Sequence, residues 1–268
     1  MISVDEKKCL HCKSCIADCP VEILSENSDR IPVMLPKLEK FCIKCQHCLA
    51  VCPTGALSYN DITPEQCDSP QTPPTPEAML NLIKMRRSVR RYKNENIAPE
   101  IMETLKSSLS WSATGCNDHR LFFYMAQDKS AMEFFRTETT RMLKFLVKTG
   151  IMRLFYPNIH RFLQKIEAGT DVIYRGAPHM IVAAVPKNAP CKAADPWIAL
   201  SNFDLLLQSY GLGSCWCGFA ERAIRYNRKL KKYINLPQGY KIGAVLLFGK
   251  PDVKYFRATS PAPCKFAK

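Results

Sequence analysis

The sequence predicts an α+β protein of two domains: a small cysteine-rich domain, followed by a larger one in which helices cover a single sheet. The chain has 268 residues, a length that favours about two domains. Eight of its 14 cysteines lie between Cys9 and Cys52. Beyond residue 76, segments with helical periodicity alternate with short apolar runs of strand length, which is typical of helices packed on a sheet.

The composition excludes several classes of protein. Hydrophobic residues make up 47% of the chain and charged residues 23%, which is ordinary for a globular protein and excludes disorder for most of its length. No run of 18 apolar residues occurs, so the sequence predicts no membrane span. The N-terminus has no apolar segment of the secretory type. We therefore expect a cytoplasmic protein whose cysteines are not a disulfide scaffold.

The cysteines form an internal repeat. The run C-x2-C-x2-C-x3-C-P occurs twice, 33 residues apart, beginning at Cys9 and at Cys42. Three thiolates on one tight loop suit three irons of a cube, whereas zinc, the alternative, takes its ligands as two pairs. Over residues 1–60 the chain resembles the bacterial two-cluster ferredoxins, in which the fourth cysteine of each run ligates the other cluster. The resemblance implies two [4Fe–4S] clusters, one on Cys9, Cys12, Cys15 and Cys52, the other on Cys42, Cys45, Cys48 and Cys19.

A proline-rich linker predicts the domain boundary. Five prolines lie between Pro64 and Pro76, a composition that continues neither a helix nor a sheet. We expect domains at 1–61 and 77–268 with a linker at 62–76. Thr75 and Pro76 suit the start of a helix. Beyond it the sequence predicts helices from Pro99, over 131–168, over 196–210 and over 219–233, and strands at Leu121–Met125, Met180–Val185 and Gly243–Phe248.

The net charge of +14 lies outside the cysteine-rich domain. Residues 1–60 contain seven basic and seven acidic residues, so the whole excess falls on residues 61–268. An excess of basic residues of this size raises the alternative that the second domain binds nucleic acid. No nucleic-acid motif accompanies it, and we expect neither a nucleic-acid partner nor a membrane span.

Several segments of the second domain together resemble the FMN-dependent nitroreductase family, over residues 77–260. They are KMRRSVRRYK at 84–93, WSATGCNDHRLFFY at 111–124, GAPHMIVAA at 176–184, YGLGSCWCGF at 210–219 and LLFGKP at 246–251. The resemblance implies a helix-covered antiparallel or mixed sheet, FMN and a homodimer. It also implies FMN-binding residues at Arg86, Arg87, Ser88, Arg90, Asn117, Gly213, Ser214 and Arg257, with His119 as a candidate catalytic residue.

The combination predicts an iron–sulfur flavoprotein oxidoreductase. Electrons would pass from a low-potential donor such as ferredoxin or flavodoxin, or from NAD(P)H, through the two clusters to FMN. Nitroaromatics, quinones or other conjugated electrophiles are the expected acceptors. The alternative is a non-catalytic electron relay or a redox sensor. No dinucleotide fingerprint occurs, because the GLG at 211–213 follows a helical segment and lacks the full glycine spacing.

Two features stay open at this point. Residues 134–165 alternate apolar and basic side chains, which suits a core, a subunit interface, a lid or a membrane surface. Cys215 and Cys217 flank Trp216 in a pattern that favours packing over redox activity.

Overall fold

The chain divides into two compact units, Met1–Pro73 and Pro74–Lys268. The computed structural model describes residues 2–148 and 164–267. The first part of the linker predicted over residues 62–76 is folded as part of the first unit. Ile62 forms a β-bridge with Tyr59 and packs against the core of the first unit. A 3-10 helix follows at Pro64–Gln66, where Thr63 and Gln66 form a reciprocal capping box.

The first unit is built from two antiparallel strand pairs and two single-turn helices. Its elements are β1 (Ile2–Val4), α1 (Ser14–Ala17), β2 (Leu24–Glu26), β3 (Pro32–Met34), α2 (His47–Ala50) and β4 (Leu57–Tyr59). β1 pairs with β4, and β2 pairs with β3. Lys13 and Gln46, each directly before its helix, both have left-handed backbone, with φ of 61° and 60°. The 33-residue repeat in sequence is therefore also a repeat in structure.

The second unit places helices on both faces of one antiparallel sheet, which confirms the predicted fold class. Its described elements are α3 (Pro76–Met85), α4 (Pro99–Ser108), β5 (Phe122–Ala126), α5 (Lys129–Lys148), β6 (His179–Pro186), α6 (Asp195–Ser209), β7 (Gly213–Trp216), α7 (Gly218–Tyr226), α8 (Arg228–Tyr233) and β8 (Tyr240–Gly249). The strand order is β5-β6-β8-β7. Every residue of β6 is buried, because alternate side chains enter two different cores.

Three predicted elements differ from the structure. The helix predicted over 219–233 is two helices, because the Asn227 side chain accepts from the backbone N–H groups of Lys229 and Leu230 and starts α8. The strand β7 was not predicted, and four residues are too short for a periodic signal. Of the helix predicted over 131–168, α5 covers the first part, and residues 149–163 lie outside the described residues.

The described helices also bear on the predicted lack of a membrane span. Within residues 2–148 and 164–267, none is both long enough and apolar enough to cross a bilayer. The longest of them, α5, has 20 residues and is amphipathic. It buries Met132, Phe135 and Leu143 in the core beside the sheet.

A buried histidine joins β6 to two neighbouring segments. The ring of His179 is fully buried and stacks on Phe248, with centroids 5.3 Å apart. Its Nε2 accepts from the Ile97 backbone N–H at 3.0 Å, and its Nδ1 donates to the Ala126 carbonyl at 3.2 Å. The bond from Ile97 requires the neutral ring, because Nε2 can accept only when it carries no proton. Burial lowers the pKa of His179, an effect that the Ala126 hydrogen bond partly opposes.

We expect this histidine to make the second unit acid-sensitive. The unfolded chain binds a proton at His179 near pH 6.5 and the folded chain resists it, so stability is lost as the pH falls below about 6.5, by at most about 1.4 kcal/mol per pH unit. Urea unfolding between pH 5.5 and 7.5, followed by tryptophan fluorescence, measures this slope, since all three tryptophans lie in the second unit. His179→Gln should be less stable at pH 7.5 and lack the slope. An unchanged slope in the variant would place the acid sensitivity elsewhere.

Candidate cofactor-binding sites

The eight cysteines of the two runs surround two separate hollows in the first unit. One hollow is lined by Cys9, Cys12, Cys15 and Cys52. The other is lined by Cys19, Cys42, Cys45 and Cys48. Each hollow thus takes three cysteines from one run and the fourth from the other run. The two helical turns α1 and α2, which carry or adjoin these cysteines, lie against each other and bring the runs together.

The chemistry of the hollows fits a thiolate-bound cluster. Four thiols line each hollow, and in the described residues no group of three or more His, Cys, Asp or Glu side chains is placed to hold a single metal ion. A four-iron cube takes one thiolate at each iron, so four thiols around one hollow suit it. Hydrogen bonds reach the sulfurs: the Ser14 hydroxyl donates to Cys12 Sγ at 3.3 Å and the Ala56 N–H donates to Cys52 Sγ at 3.2 Å.

The thiols have different surroundings before any cluster binds. Hydrogen bonds from Ser14 lower the pKa of Cys12, whereas burial raises the pKa of Cys48 to about 11. A cluster ligand must be a thiolate, so a cluster that binds at Cys48 would have to displace a proton from a thiol that holds it firmly. Ile23, Leu49 and Leu57 are buried beside the cysteines and keep water from the hollows.

The basic run of the second unit docks on strand β7. Thr75 Oγ1 accepts from the Ala78 N–H at 3.2 Å and caps α3, which ends at Met85 before the arginines. The chain is then extended: Ser88 forms a parallel bridge with Ser214, and the Val89 N–H donates to the Ser214 carbonyl at 2.7 Å. Gly213 is required here, since a Cβ at this position would lie 2.4 Å from Val89 Cγ2.

Two arginines of this run bury N–H groups that have no acceptor. Arg86 Nη1 and Arg87 Nη2 are buried without a hydrogen-bond partner in the described part of the chain. Asp204 Oδ2 forms an ion pair with Arg86 Nη1 at 3.6 Å, which is longer than a hydrogen bond, while Asp204 Oδ1 accepts from the Ser214 hydroxyl. Leaving a buried N–H unpaired costs about 1–3 kcal/mol, and more for a charged group. An oxyanion such as a phosphate supplies the missing acceptors.

The loop with Asn117 is held in a strained shape at the start of α6. Asn117 and His119 both have left-handed backbone, with φ of 54° and 44°, which costs about 1–3 kcal/mol each. The Gly115 N–H donates to the buried Asp195 carboxylate at 3.0 Å, and a Cβ on Gly115 would lie 2.3 Å from Cys191 Sγ. The His119 Nε2 and Asn117 Oδ1 are 2.7 Å apart. This histidine also lines a groove of about 620 Å³ beside β5.

A second cleft, of about 470 Å³, lies where β7 passes into α7. Its lining residues include Arg90, Arg175, Cys215, Trp216, Cys217, Gly218, Phe219, Glu221 and Arg222. Cys217 Sγ donates to the Ile173 carbonyl at 3.5 Å, and burial raises the pKa of Cys217 to about 11. This thiol is therefore neutral near pH 7, as expected of a packing residue. Sequence reasoning missed Arg175, because no motif marks it.

The C-terminal turn also lies beside the basic run. The Lys93 N–H donates to the Lys250 carbonyl, and the Asp252 N–H donates to the Arg91 carbonyl. Arg257 follows five residues later and is exposed, without a hydrogen bond or ion pair to another residue that the structure describes. The structure thus joins Arg86, Arg87, Ser88, Gly213 and Ser214 directly, places Arg90 at the adjoining cleft, and leaves Asn117 and Arg257 on separate loops.

Solved structures support the fold of the second unit. A nitroreductase with bound FMN from Desulfitobacterium hafniense is 20% identical, with a TM-score of 0.57, covering 71% of this chain and 98% of that chain. A nitroreductase with bound FMN from Bacteroides fragilis is 16% identical, with a TM-score of 0.56 and coverages of 71% and 98%. A BluB-like flavoprotein from Clostridium difficile is 20% identical, with a TM-score of 0.55 and coverages of 71% and 99%. A search of curated proteins finds no match.

Two family models match the chain in succession. Residues 8–57 match the 4Fe-4S dicluster domain, in agreement with the two four-thiol hollows. Residues 83–250 match the nitroreductase family, and this segment includes the basic run, the Asn117 loop and β7. The fusion predicted from the sequence is thereby confirmed. Because the second match spans more than half of the chain, the protein belongs to the nitroreductase family and carries an N-terminal 4Fe–4S dicluster domain.

Proposed function

We propose that this protein is an iron–sulfur flavoprotein oxidoreductase that takes electrons singly from a low-potential donor and delivers them through FMN to a small electrophile. The observation that carries the proposal is that Arg86 and Arg87 each bury an N–H group without a hydrogen-bond acceptor among the described residues, in a chain that also forms two four-thiol hollows. The first feature fits the phosphate of FMN, and the second fits two [4Fe–4S] clusters.

The residues that would hold FMN have distinct tasks. Arg86 and Arg87 donate to the phosphate, and Ser88 offers a hydroxyl beside them. Gly213 keeps β7 close to the run, and the Ser214 hydroxyl holds Asp204. Asn117 meets the ring system on a loop whose shape is fixed by Gly115 and Asp195. FMN, when bound, exchanges electrons one or two at a time and delivers hydride to a substrate.

The cysteines and the loop histidine complete the assignment. Each cluster would be held by the four thiolates that line its hollow, and their spacing suits cluster irons rather than one zinc ion. His119 is already engaged by Asn117, so we assign it the task of positioning that side chain. Nitroaromatics, quinones and other conjugated electrophiles are the proposed acceptors, and the cleft at β7 has the size of a small-molecule site.

We further propose that the protein is a cytoplasmic homodimer. Helix α6 exposes Trp197 and Ile198, with 49% and 41% of their surface accessible. Trp197 stacks on Trp216, with ring centroids 5.0 Å apart, so the patch continues from α6 to β7. A large apolar patch on the surface favours association. Sedimentation equilibrium of the full chain is the measurement, and Trp197→Glu with Ile198→Glu should yield the monomer.

The source of electrons tests the proposed function. We expect reduced ferredoxin or flavodoxin to support faster reduction of a nitroaromatic than NADH or NADPH, because the first unit takes electrons singly and no dinucleotide fingerprint is present. Anaerobic stopped-flow mixing with each donor, followed at flavin and cluster wavelengths, measures this.

The test includes the double variant Cys19→Ala with Cys52→Ala, which lacks one thiol in each hollow. It should lose turnover with the protein donors. Rapid reduction by NADPH in both proteins would contradict the proposed entry of electrons. Reduction of the flavin and the clusters without turnover of any acceptor would favour the alternative function, a non-catalytic electron relay or a redox sensor.

A further inference from the structure

Half of the chain's net charge falls on two short segments of the second unit. Residues 138–148 and 221–235 contain nine lysines and arginines against two glutamates, an excess of seven out of the net charge of +14. One of the nine, Arg222, belongs to the cleft at β7. Seven of the others are exposed on the ends of α5 and α7 and on α8: Arg141, Lys144, Lys148, Arg225, Arg228, Lys229 and Lys232.

These seven residues form one surface, which we call the basic face. The helices that carry them each contribute a buried side chain to the same core cluster: Leu143, Ile224 and Leu230. Arg141, Lys144 and Lys148 recur at the three- and four-residue spacing of a single helical face. The buried Glu138 carboxylate links two of the helices, because it pairs with Arg141 on α5 and lies 3.9 Å from Lys229 Nζ on α8.

Little negative charge offsets the basic face. Both glutamates of the two segments are already engaged, Glu138 as described and Glu221 by Arg225, one turn further along α7. Three lysines of the face take part in no ion pair with a residue that the structure describes: Lys144, Lys148 and Lys232. A partner with many negative charges would therefore meet several cations at once.

Two aromatic side chains lie among these charges. Phe145, next to Lys144 on α5, is 64% exposed, and Tyr226, at the end of α7, is 75% exposed. Basic helices that also expose aromatic rings are typical of proteins that lie on anionic membranes, where the cations meet the headgroups and the rings enter the boundary below them. Duplex nucleic acid would use the cations alone, and no nucleic-acid motif accompanies them.

The basic face is on the opposite side of the sheet from the patch assigned to the dimer. Helices α5, α7 and α8 pack on the core that contains Met180, whereas α6, which carries Trp197 and Ile198, packs on the core that contains Ile181. These two residues are neighbours on β6, so their side chains point to opposite faces of the sheet. A dimer formed through α6 would leave the basic face accessible.

We propose that the basic face docks this protein on an anionic membrane surface, with its lysines and arginines at the phosphate headgroups and Phe145 inserted between the lipids. The attraction is mainly electrostatic, so salt reverses it. Such peripheral binding needs no membrane span, and it depends neither on the cofactors nor on the route of the electrons.

Co-sedimentation of the full chain with lipid vesicles tests the proposal. Vesicles of phosphatidylcholine with about 30% phosphatidylglycerol should bind the protein, and vesicles of phosphatidylcholine alone should not. The affinity should fall at least about tenfold between about 0.05 M and about 0.5 M NaCl. The triple variant Lys144→Gln, Lys148→Gln, Lys232→Gln should bind about a hundredfold more weakly, at about fivefold per charge. Phe145→Ser should weaken binding about tenfold and leave the salt dependence unchanged.

The matched control removes three exposed lysines of the second unit that lie outside α5, α7 and α8. It is the triple variant Lys187→Gln, Lys254→Gln, Lys265→Gln, which has the same net charge and should bind like the natural protein. Circular dichroism and thermal unfolding show that both triple variants are folded. An equal loss of binding in the two would overturn the proposal, because binding would then follow net charge alone.

Two further outcomes would overturn the proposal. One is equal binding to the anionic and the neutral vesicles. The other concerns nucleic acid: duplex DNA is added to vesicle-bound protein at the same phosphate concentration as the anionic lipid. If the DNA removes the protein from the vesicles and binds it through Lys144, Lys148 and Lys232, the basic face is a nucleic-acid site. Retention on the vesicles in the presence of DNA supports the membrane.

Discussion

Replacing Cys19 by alanine is expected to remove the cluster of the distant run, on Cys42, Cys45 and Cys48, and to spare the cluster of its own run. The reason is that Cys19 lines the second hollow, whereas the other three cysteines of its run line the first. Each chain should fall from about eight irons and eight labile sulfides to about four of each. Alanine is preferred to serine, because a serine oxygen can itself bind iron.

Double variants show which cluster is lost. Iron and sulfide are quantified in anaerobic preparations. Cys19→Ala with Cys45→Ala should retain as much iron as Cys19→Ala alone, since both cysteines belong to one hollow. Cys19→Ala with Cys12→Ala should lose both clusters. The reverse pattern would show that each run holds its own cluster. Cys67→Ala, an exposed cysteine outside both hollows, is the control and should keep all the iron.

Arg87→Met is expected to weaken FMN binding about ten- to a hundredfold, because a charge-assisted hydrogen bond contributes about 1.5–3 kcal/mol. Riboflavin, which lacks the phosphate, should bind the variant as well as it binds the natural protein. The stability of the FMN-free protein should change by less than about 1.5 kcal/mol, since the substitution removes a buried Nη2–H that has no acceptor in the described residues and, with it, the hydrogen bond from Arg87 Nη1 to the Arg86 carbonyl at 3.0 Å.

Fluorescence titration of the FMN-free protein with each flavin, together with thermal unfolding, measures both expectations. Arg91→Met is the matched control from the same run, because Arg91 Nη2 donates to the Asp252 carbonyl at 3.0 Å and has a structural partner. It should leave the affinity for FMN within about twofold. Equal weakening of FMN and riboflavin by Arg87→Met would mean that Arg87 shapes the site without meeting the phosphate.

Local chemistry decided how much of the molecule could be predicted. The 4Fe–4S domain could be predicted because cluster ligation fixes the spacing of the cysteines within a run. Helix α3 could be predicted because Thr75 and Pro76 act on its first turn alone. The division of the thiols between two hollows came from a resemblance, and the geometry supplies it independently.

Features set by distant parts of the chain could not be predicted. The exposed position of Arg175 depends on Asp171 and on Arg136, which is 39 residues away. The break at Asn227 requires its side chain to cap a new helix instead of continuing the old one. The unpaired N–H groups of the basic run become visible only when β7 docks beside it, through a contact that needs Gly213.

The exchange of the fourth cysteine between the runs has a consequence for synthesis on the ribosome. As the chain emerges from its N-terminus, the first three cysteines cannot complete a site until Cys52 appears, 37 residues after Cys15. Cys19 of the second site is made before the other three cysteines of that site, so the site is complete when Cys48 appears. Both sites thus become complete within four residues of each other. With the proposed ligands, cluster loading would therefore wait until both cysteine runs have been made, and a nascent chain that stops short of residue 48 would hold neither cluster.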